Sequence, residues 1–560
     1  MKKIKISNKL TITLLLLFTL VFSSCEFLLF DFQSSPSSKP ASIPSITVLD
    51  TYEKQSCDWL FIMYVDGDND LVNQLYQDLN EFEAGLYQYS KKTEKPSVKV
   101  VALWDGYPNE NSISTKTKIL ELSADSENNP HLCASTKDLT ATAYSLSNNW
   151  INYNTVTRTA EVDMSSKNTL TNFLNWVDQY YEAQHKILQF SNHGGGPRSV
   201  LGECGRRALC WDFTTDANKE TFLTTKELGE ALKQAGYGAE NQFEMLIFDI
   251  CLGASIEDSY EFRDYAKYLL GSPNSIPGFG LNYAKMLNNI SDSATGIDIG
   301  KGIINDFKDF YTNNPRYIFI DWEEEATNYG SLEEATYSSL ITNTLSLIDL
   351  SKVEKVATRV NELANLLLNS TLDKIYLTYE TTDNQKNTIS LRNYFKNNIT
   401  FQRSLTSKEE HNLRYPGTFT WLYDLGFITR NIGIICDSLN LENQSSDVVT
   451  IITKLKTAVS NLNVALKEAI VYSWREGPVA AEEEFYTSNI PNYNNSLYFG
   501  ENLPYGLTIS GASNTSQISS IGPSYYSEGG APYFYKTDLT FGKNTSWGDL
   551  LIKYFFYTFN

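Results

Sequence analysis

Lys186-Ile-Leu-Gln-Phe-Ser191 opens into Asn192-His193-Gly194-Gly195-Gly196, and Glu244-Met-Leu-Ile-Phe-Asp249-Ile250 delivers Cys251. Each stretch is a short apolar run bounded by polar or turn-forming residues, the pattern of a strand buried on both faces. Each run ends on a reactive side chain. If two such strands lie parallel and adjacent in one sheet, their carboxyl ends meet, and an imidazole and a thiol share the crevice where open α/β sheets bind ligands. The pairing predicts a Cys-His hydrolase site on an α/β fold.

Outward from these two runs the chain alternates. Residues 60–65, Leu-Phe-Ile-Met-Tyr-Val, read as a buried strand that stops at the acidic turn Asp66-Gly-Asp-Asn-Asp70. Helical spacing follows through Leu71, Leu75, Leu79, Phe82 and Leu86, then a strand at 98–103 and a helix over 169–182. Further helices are predicted at 225–234 and 256–267, with a short strand at 268–271. This repetition implies a mostly parallel central sheet flanked by helices on both faces. Beyond Gly300 the signal is mostly helical from 345 to 473, and from Tyr486 the chain is rich in Tyr, Asn, Ser and Gly, which predicts a helical and irregular C-terminal extension.

The 560 residues have the apolar content of a globular protein, and a formal charge of −20 argues against a nucleic-acid partner, because phosphate binding needs a basic face. Lys2, Lys3, Lys5 and Lys9 precede an apolar stretch at 10–22 that is too short and too terminal for an ordinary membrane span, so 1–24 read as a signal peptide. The stretch closes on Phe22-Ser23-Ser24-Cys25, which resembles a bacterial lipobox with Phe22 in place of the usual aliphatic residue. That likeness implies lipidation of Cys25 and a protein of the bacterial cell envelope, lipid-anchored through that cysteine alone; a simply secreted protein is the other reading. Ser and Pro crowd residues 33–46, so 25–56 read as an extended tether. Of the seven cysteines, Cys204 and Cys210 could close a small loop or remain thiols; the odd number left after Cys25 and Cys251 is no disulfide framework.

A free thiol ionises near pH 8.5, so a nucleophilic cysteine needs a neighbour to take its proton, and histidine suits that task. The chain has only four histidines: His131 sits in a polar stretch, His185 precedes its strand, His411 lies in a charged segment, and His193 occupies the glycine-rich strand end. Lone histidines and buried cysteines are more often structural than catalytic, so the surrounding strings carry the weight.

Ser191-Asn-His-Gly-Gly-Gly196 together with Phe248-Asp-Ile-Cys-Leu252 resembles the paired motifs of the clostripain family of cysteine peptidases, in the caspase-like clan. The likeness extends to Tyr64-Val-Asp-Gly-Asp-Asn-Asp-Leu71, Glu257, Tyr260-Glu-Phe-Arg-Asp-Tyr265, Ser275-Ile-Pro-Gly-Phe-Gly280, Tyr505-Gly-Leu-Thr-Ile509, Leu539-Thr-Phe541 and Trp547. It implies a caspase-like sandwich with a catalytic core over 57–290 and closing segments over 291–560. It also implies Cys251 as nucleophile, His193 as general acid/base, and the amides of Gly194 and Cys251 as oxyanion donors. Asp249 matches the family's pocket carboxylate, which implies peptide or protein substrates cut after basic residues, Arg before Lys. Gly253 stands where the family often has methionine, and Phe279 replaces an acidic residue, so the basic preference is expected to be less strict. Members are often cut between the histidine and cysteine segments, where Arg206-Arg207 lies; self-cleavage after Arg207, or else Arg206, is expected against the alternative of an uncut surface pair.

No cofactor is required by these readings, and calcium enters only because some relatives need it. The Asp66 to Asp70 run fails as an EF-hand loop, with Leu71 at the sixth position and Gln77 at the twelfth, and reads instead as a turn capping the next helix. No metal ligand is assigned. A lipase-type oxyanion loop at Gly194 to Gly196 would require a Gly-x-Ser-x-Gly elbow, which is absent from the sequence. A catalytically weak, surface-anchored binding protein on the same fold is the other alternative, opposed by the presence of both His193 and Cys251.

Overall fold

The computed structural model describes residues 46–107, 116–126, 131–144, 150–197, 209–213, 221–314, 343–380, 386–399, 422–475, 499–501, 504–510, 535–536 and 538–556. Cys25, Cys204, Arg206, Arg207 and His411 lie outside them. Ser45–Asn560 forms one compact unit. Its strands are β1 (Thr47–Val48), β2 (Gln55–Gly67), β3 (Val98–Gly106), β4 (Lys118–Glu121), β5 (Lys137–Asp138), β6 (Tyr181–Ser191), β7 (Phe243–Asp249), β8 (Ala266–Gly271), β9 (Thr344–Asp349), β10 (Ile470–Arg475) and β11 (Phe499–Glu501). Among the described residues they make one eleven-stranded sheet in the order β1-β5-β4-β3-β2-β6-β7-β8-β9-β10-β11.

The centre of this sheet is parallel: β2 pairs with β3 and β6, β6 with β7, and β7 with β8. Antiparallel strands flank it, β4 on one side and β9 to β11 on the other. The central strands are covered on both faces, which is why their sequences are near-continuous apolar runs and why every residue of β7 is buried. Successive side chains of a strand point to opposite faces. Along β2, Leu60, Ile62 and Tyr64 enter one core with the helices Lys167–Tyr180, Thr225–Gln234, Val353–Leu368 and Ser446–Ala469. Trp59, Phe61, Met63 and Val65 enter the other, with Val72–Ser90 and Gly296–Asn313. The fold is thus the predicted caspase-like sandwich.

Local signals set the helix starts. Thr224 and Glu227 form a reciprocal capping box at Thr225–Gln234, and Ser255 caps Ile256–Phe262. Two expectations need correction. The helix predicted over 256–267 ends at Phe262, because the next apolar residues pair with β7 as β8, Ala266 opposite Phe243. The mostly helical reading of 345–473 hid β9 and β10, which join the main sheet; runs this short do not separate the two periods.

The C-terminal region also reaches the catalytic half directly. Thr508 donates from its amide and hydroxyl to the Ala254 carbonyl, at 3.0 and 3.1 Å. Glu257 is buried, and its Oε1 accepts the Ser510 amide at 2.8 Å and the Tyr535 hydroxyl at 2.9 Å. Among the described residues no helix is long and apolar enough to cross a membrane. Cys210 is a buried free thiol.

Candidate active site

Strands β6 and β7 run in register with Ser191 opposite Asp249, so His193 and Cys251 each stand two residues beyond a paired position, on the same edge of the sheet. Their turns touch. A Cβ on Gly194 would lie 2.1 Å from the Cys251 carbonyl oxygen and 2.9 Å from its amide nitrogen, an approach only glycine allows. The chain then bends sharply: Leu252 has φ 62°, in the left-handed region that a leucine enters at a cost, and its amide donates to the Asn274 carbonyl at 2.8 Å. Cys251 is buried, with its Sγ 3.4 Å from the Ile276 amide and 3.9 Å from the Ile276 carbonyl oxygen.

His193 is positioned by groups that the sequence reading had not linked to it. Its Nε2 lies 2.7 Å from Asp70 Oδ1, and its ring leans on Trp211 with centroids 5.5 Å apart. Asn192, just before it, donates to the Asp66 carbonyl at 2.7 Å and accepts the Trp211 amide at 3.1 Å and the His193 amide. Asn69, just before Asp70, donates to the carbonyls of Asp66 and Trp211, both at 3.1 Å. Trp211 is delivered by the strand Leu209–Asp212, which pairs with Thr221–Leu223. The capping role expected for the Asp66 to Asp70 turn is not what these side chains do. The helix Val72–Ser90 starts at Leu71 without a side-chain cap, because Asp70 turns to His193 and Asn69 to backbone groups. Their common place at the carboxyl edge of the parallel strands was the available signal.

Asp249 is buried beneath this edge. Its Oδ2 accepts the Leu281 amide at 3.1 Å and the Tyr283 hydroxyl, while Oδ1 is buried without a hydrogen-bond partner. Burial pushes its carboxyl up to about 6, against the pull of the Tyr283 and Leu281 hydrogen bonds. Asp78, from the helix Val72–Ser90, is buried nearby; desolvation first and then the Asp249 charge push its carboxyl well above the ordinary range. Such a recess takes either protons or a cation.

A second acidic group gathers behind the Asp70 turn. Asp68, Asp105 at the end of β3, and Glu161 bring one oxygen each within 4.8 Å of one another. Asp105 Oδ1 accepts the Thr117 hydroxyl at 2.7 Å, but Asp105 Oδ2 and Asp66 Oδ2 are buried with no hydrogen-bond partner. Burial raises the Asp66 and Asp105 carboxyls, and neighbouring carboxylates raise them further. An oxygen-only set suits a hard cation. Reading the turn as a contiguous loop missed it, because two of its three carboxylates come from distant segments.

Residues 63–503 match the family model for the Clostripain family. Clostripain of Hathewaya histolytica is 25% identical over 440 residues, spanning 73% of this chain and 70% of that protein. A secreted C11 cysteine protease from Bacteroides thetaiotaomicron, solved with an irreversible peptide inhibitor, has a TM-score of 0.47 at 14% identity, with 88% of this chain and 99% of that one covered. An inactive zymogen C11 protease from Parabacteroides distasonis has a TM-score of 0.44 at 16% identity, with 87% and 97% covered.

Proposed function

Because the chain belongs to the clostripain family of cysteine peptidases, we propose that it is an exported endopeptidase that cleaves after basic residues, with Cys251 as nucleophile and His193 as general acid/base. The observation that carries this reading is the shared edge of β6 and β7, where the Gly194 backbone lies against that of Cys251. His193 takes the thiol proton, Sγ attacks the scissile carbonyl carbon, and the C–N bond breaks as the imidazolium returns its proton to the leaving amine. Water, deprotonated by the same imidazole, then opens the thioester. The Gly194 and Cys251 amides are the proposed oxyanion donors.

Asp249 supplies the basic preference in this reading. Its buried, half-satisfied carboxylate suits a guanidinium, whose planar fork makes Arg a better fit than Lys. Self-cleavage after Arg207 or Arg206 and lipidation of Cys25 in the cell envelope complete the proposal. Calcium is the proposed ion for Asp68, Asp105 and Glu161, where it would neutralise buried charge and tie the ends of β2 and β3 to residue 161.

Purified mature protein is expected to hydrolyse an Arg-containing reporter peptide, and Cys251→Ala to abolish that activity. Equal hydrolysis by the variant would remove Cys251 from the mechanism.

A further inference from the structure

We propose that Asp70 completes the site as a positioning residue, its carboxylate fixing the orientation and the tautomer of the His193 ring. The proposal rests on His193 acting as the base described above, but its first test does not depend on catalysis. Asp70 Oδ1 lies 2.7 Å from His193 Nε2. The Asp70 side chain is 65% exposed, and in a carboxylate-imidazole pair of this geometry the carboxylate oxygen accepts the hydrogen bond. The proton of a neutral ring must therefore sit on Nε2, and the lone pair on Nδ1. Nδ1 is then the nitrogen that receives the Cys251 proton.

An exposed carboxylate near a histidine is ordinarily worth little, because two mobile side chains pay entropy to meet. Here both are held from behind. Asn69 and Asn192, each buried, directly precede the two residues, and both donate to the Asp66 carbonyl. Each amide also meets the backbone of Trp211, whose ring leans on the imidazole. One small frame of three backbone segments thus sets both ends of the pair, and the His193 side chain keeps only 16% exposure. Asp70 does not cap the helix that follows it.

In the reaction the carboxylate changes neither protonation nor bonding. Nδ1 gains the thiol proton and later returns it to the leaving amine, while Asp70 holds Nε2–H and offsets the positive charge of the imidazolium between those two steps.

With four histidines in the chain, ring-nitrogen NMR of the nitrogen-15 histidine-labelled full chain is tractable, and His193→Ala identifies the signal. The Nε2–H tautomer is expected for His193, giving way to a mixture in Asp70→Ala. Peptide hydrolysis by Asp70→Ala is expected to lose about a hundredfold in kcat with KM within about twofold, and Asp70→Asn, which keeps an acceptor without the charge, to fall between the two. Unfolding midpoints near that of the parent would show that the fold is kept. An Nδ1–H tautomer, a tautomer indifferent to Asp70→Ala, an unchanged kcat, or a change confined to KM would each overturn the proposal. If no variant or parent hydrolyses peptide, the peptidase reading fails while the tautomer measurement still decides on the pair.

Discussion

Asp249 holds one oxygen against Tyr283 and the Leu281 amide and leaves the other buried without a hydrogen bond. Removing one partner of a desolvated carboxylate-guanidinium pair costs about 2 to 5 kcal/mol, whereas a neutral substrate residue never makes that pair. Asp249→Asn is therefore expected to lower kcat/KM for cleavage after Arg by about a hundredfold or more, and to change cleavage after a neutral isostere such as citrulline far less. Parallel assays on the two peptides check this. An equal fall on both would make Asp249 a fold residue, held where it is for the sake of Tyr283. At this scale the two apolar runs pointed to His193 and Cys251, which the structure places beyond paired positions on one edge of the sheet, whereas Gly194 and Asp249 were named only through the family resemblance. Sequence alone assigned Asn69 and Asp70 only a capping turn and Trp211 no role, because all three join the His193 surroundings only through the folding of distant segments.

Among the elements, the short helix Ile256–Phe262 carries the tail of the Cys251 turn and presents Asp258 to the helix Thr225–Gln234. Asp258 accepts the Ser255 hydroxyl at 2.7 Å and the Thr225 hydroxyl at 2.8 Å. Burial pushes its carboxyl up to about 7 from 3.8, in spite of those bonds. A raised acid binds its proton more tightly in the folded chain, so its contribution to stability is full below about pH 4 and is lost as pH rises through about 7, at up to about 1.4 kcal/mol per unit. Asp258→Asn is expected to flatten this fall, and denaturant unfolding at about pH 5 and pH 8 measures it; equal slopes in parent and variant would contradict the assignment. The same helix shows what local reading resolves. Its start was legible in Ser255, a capping side chain before an apolar turn, while its end was not. The strand expected over 268–271 begins earlier, at Ala266, and residues 263–267 read as helix until β7 stands beside Ala266. Strands β9 and β10 escaped for the same reason, since they are recognised by their partners, β9 by β8 and β10, and β10 by β9 and β11.

For the whole molecule, the clustered carboxylates of Asp68, Asp105 and Glu161 predict a dependence on cations. Ligand that binds only the folded state stabilises it by mass action. Millimolar calcium is expected to raise the unfolding midpoint above that in chelator, and Asp105→Asn to remove the response by deleting one ligand charge. Thermal unfolding in the two buffers is the check, and a midpoint indifferent to calcium in the parent chain would exclude a tightly held ion. A different consequence follows from where the brace on the Cys251 turn comes from. Thr508, Ser510 and Tyr535 lie 253 to 278 residues further along the chain than Ala254 and Glu257, which they bind. A growing chain carries His193 and Cys251 long before it carries the segments that brace the residues following Cys251. In order of synthesis the bracing of this turn therefore comes well after the turn itself, and a chain that stops short of residue 508 carries His193 and Cys251 without the clasp on Ala254 and Glu257.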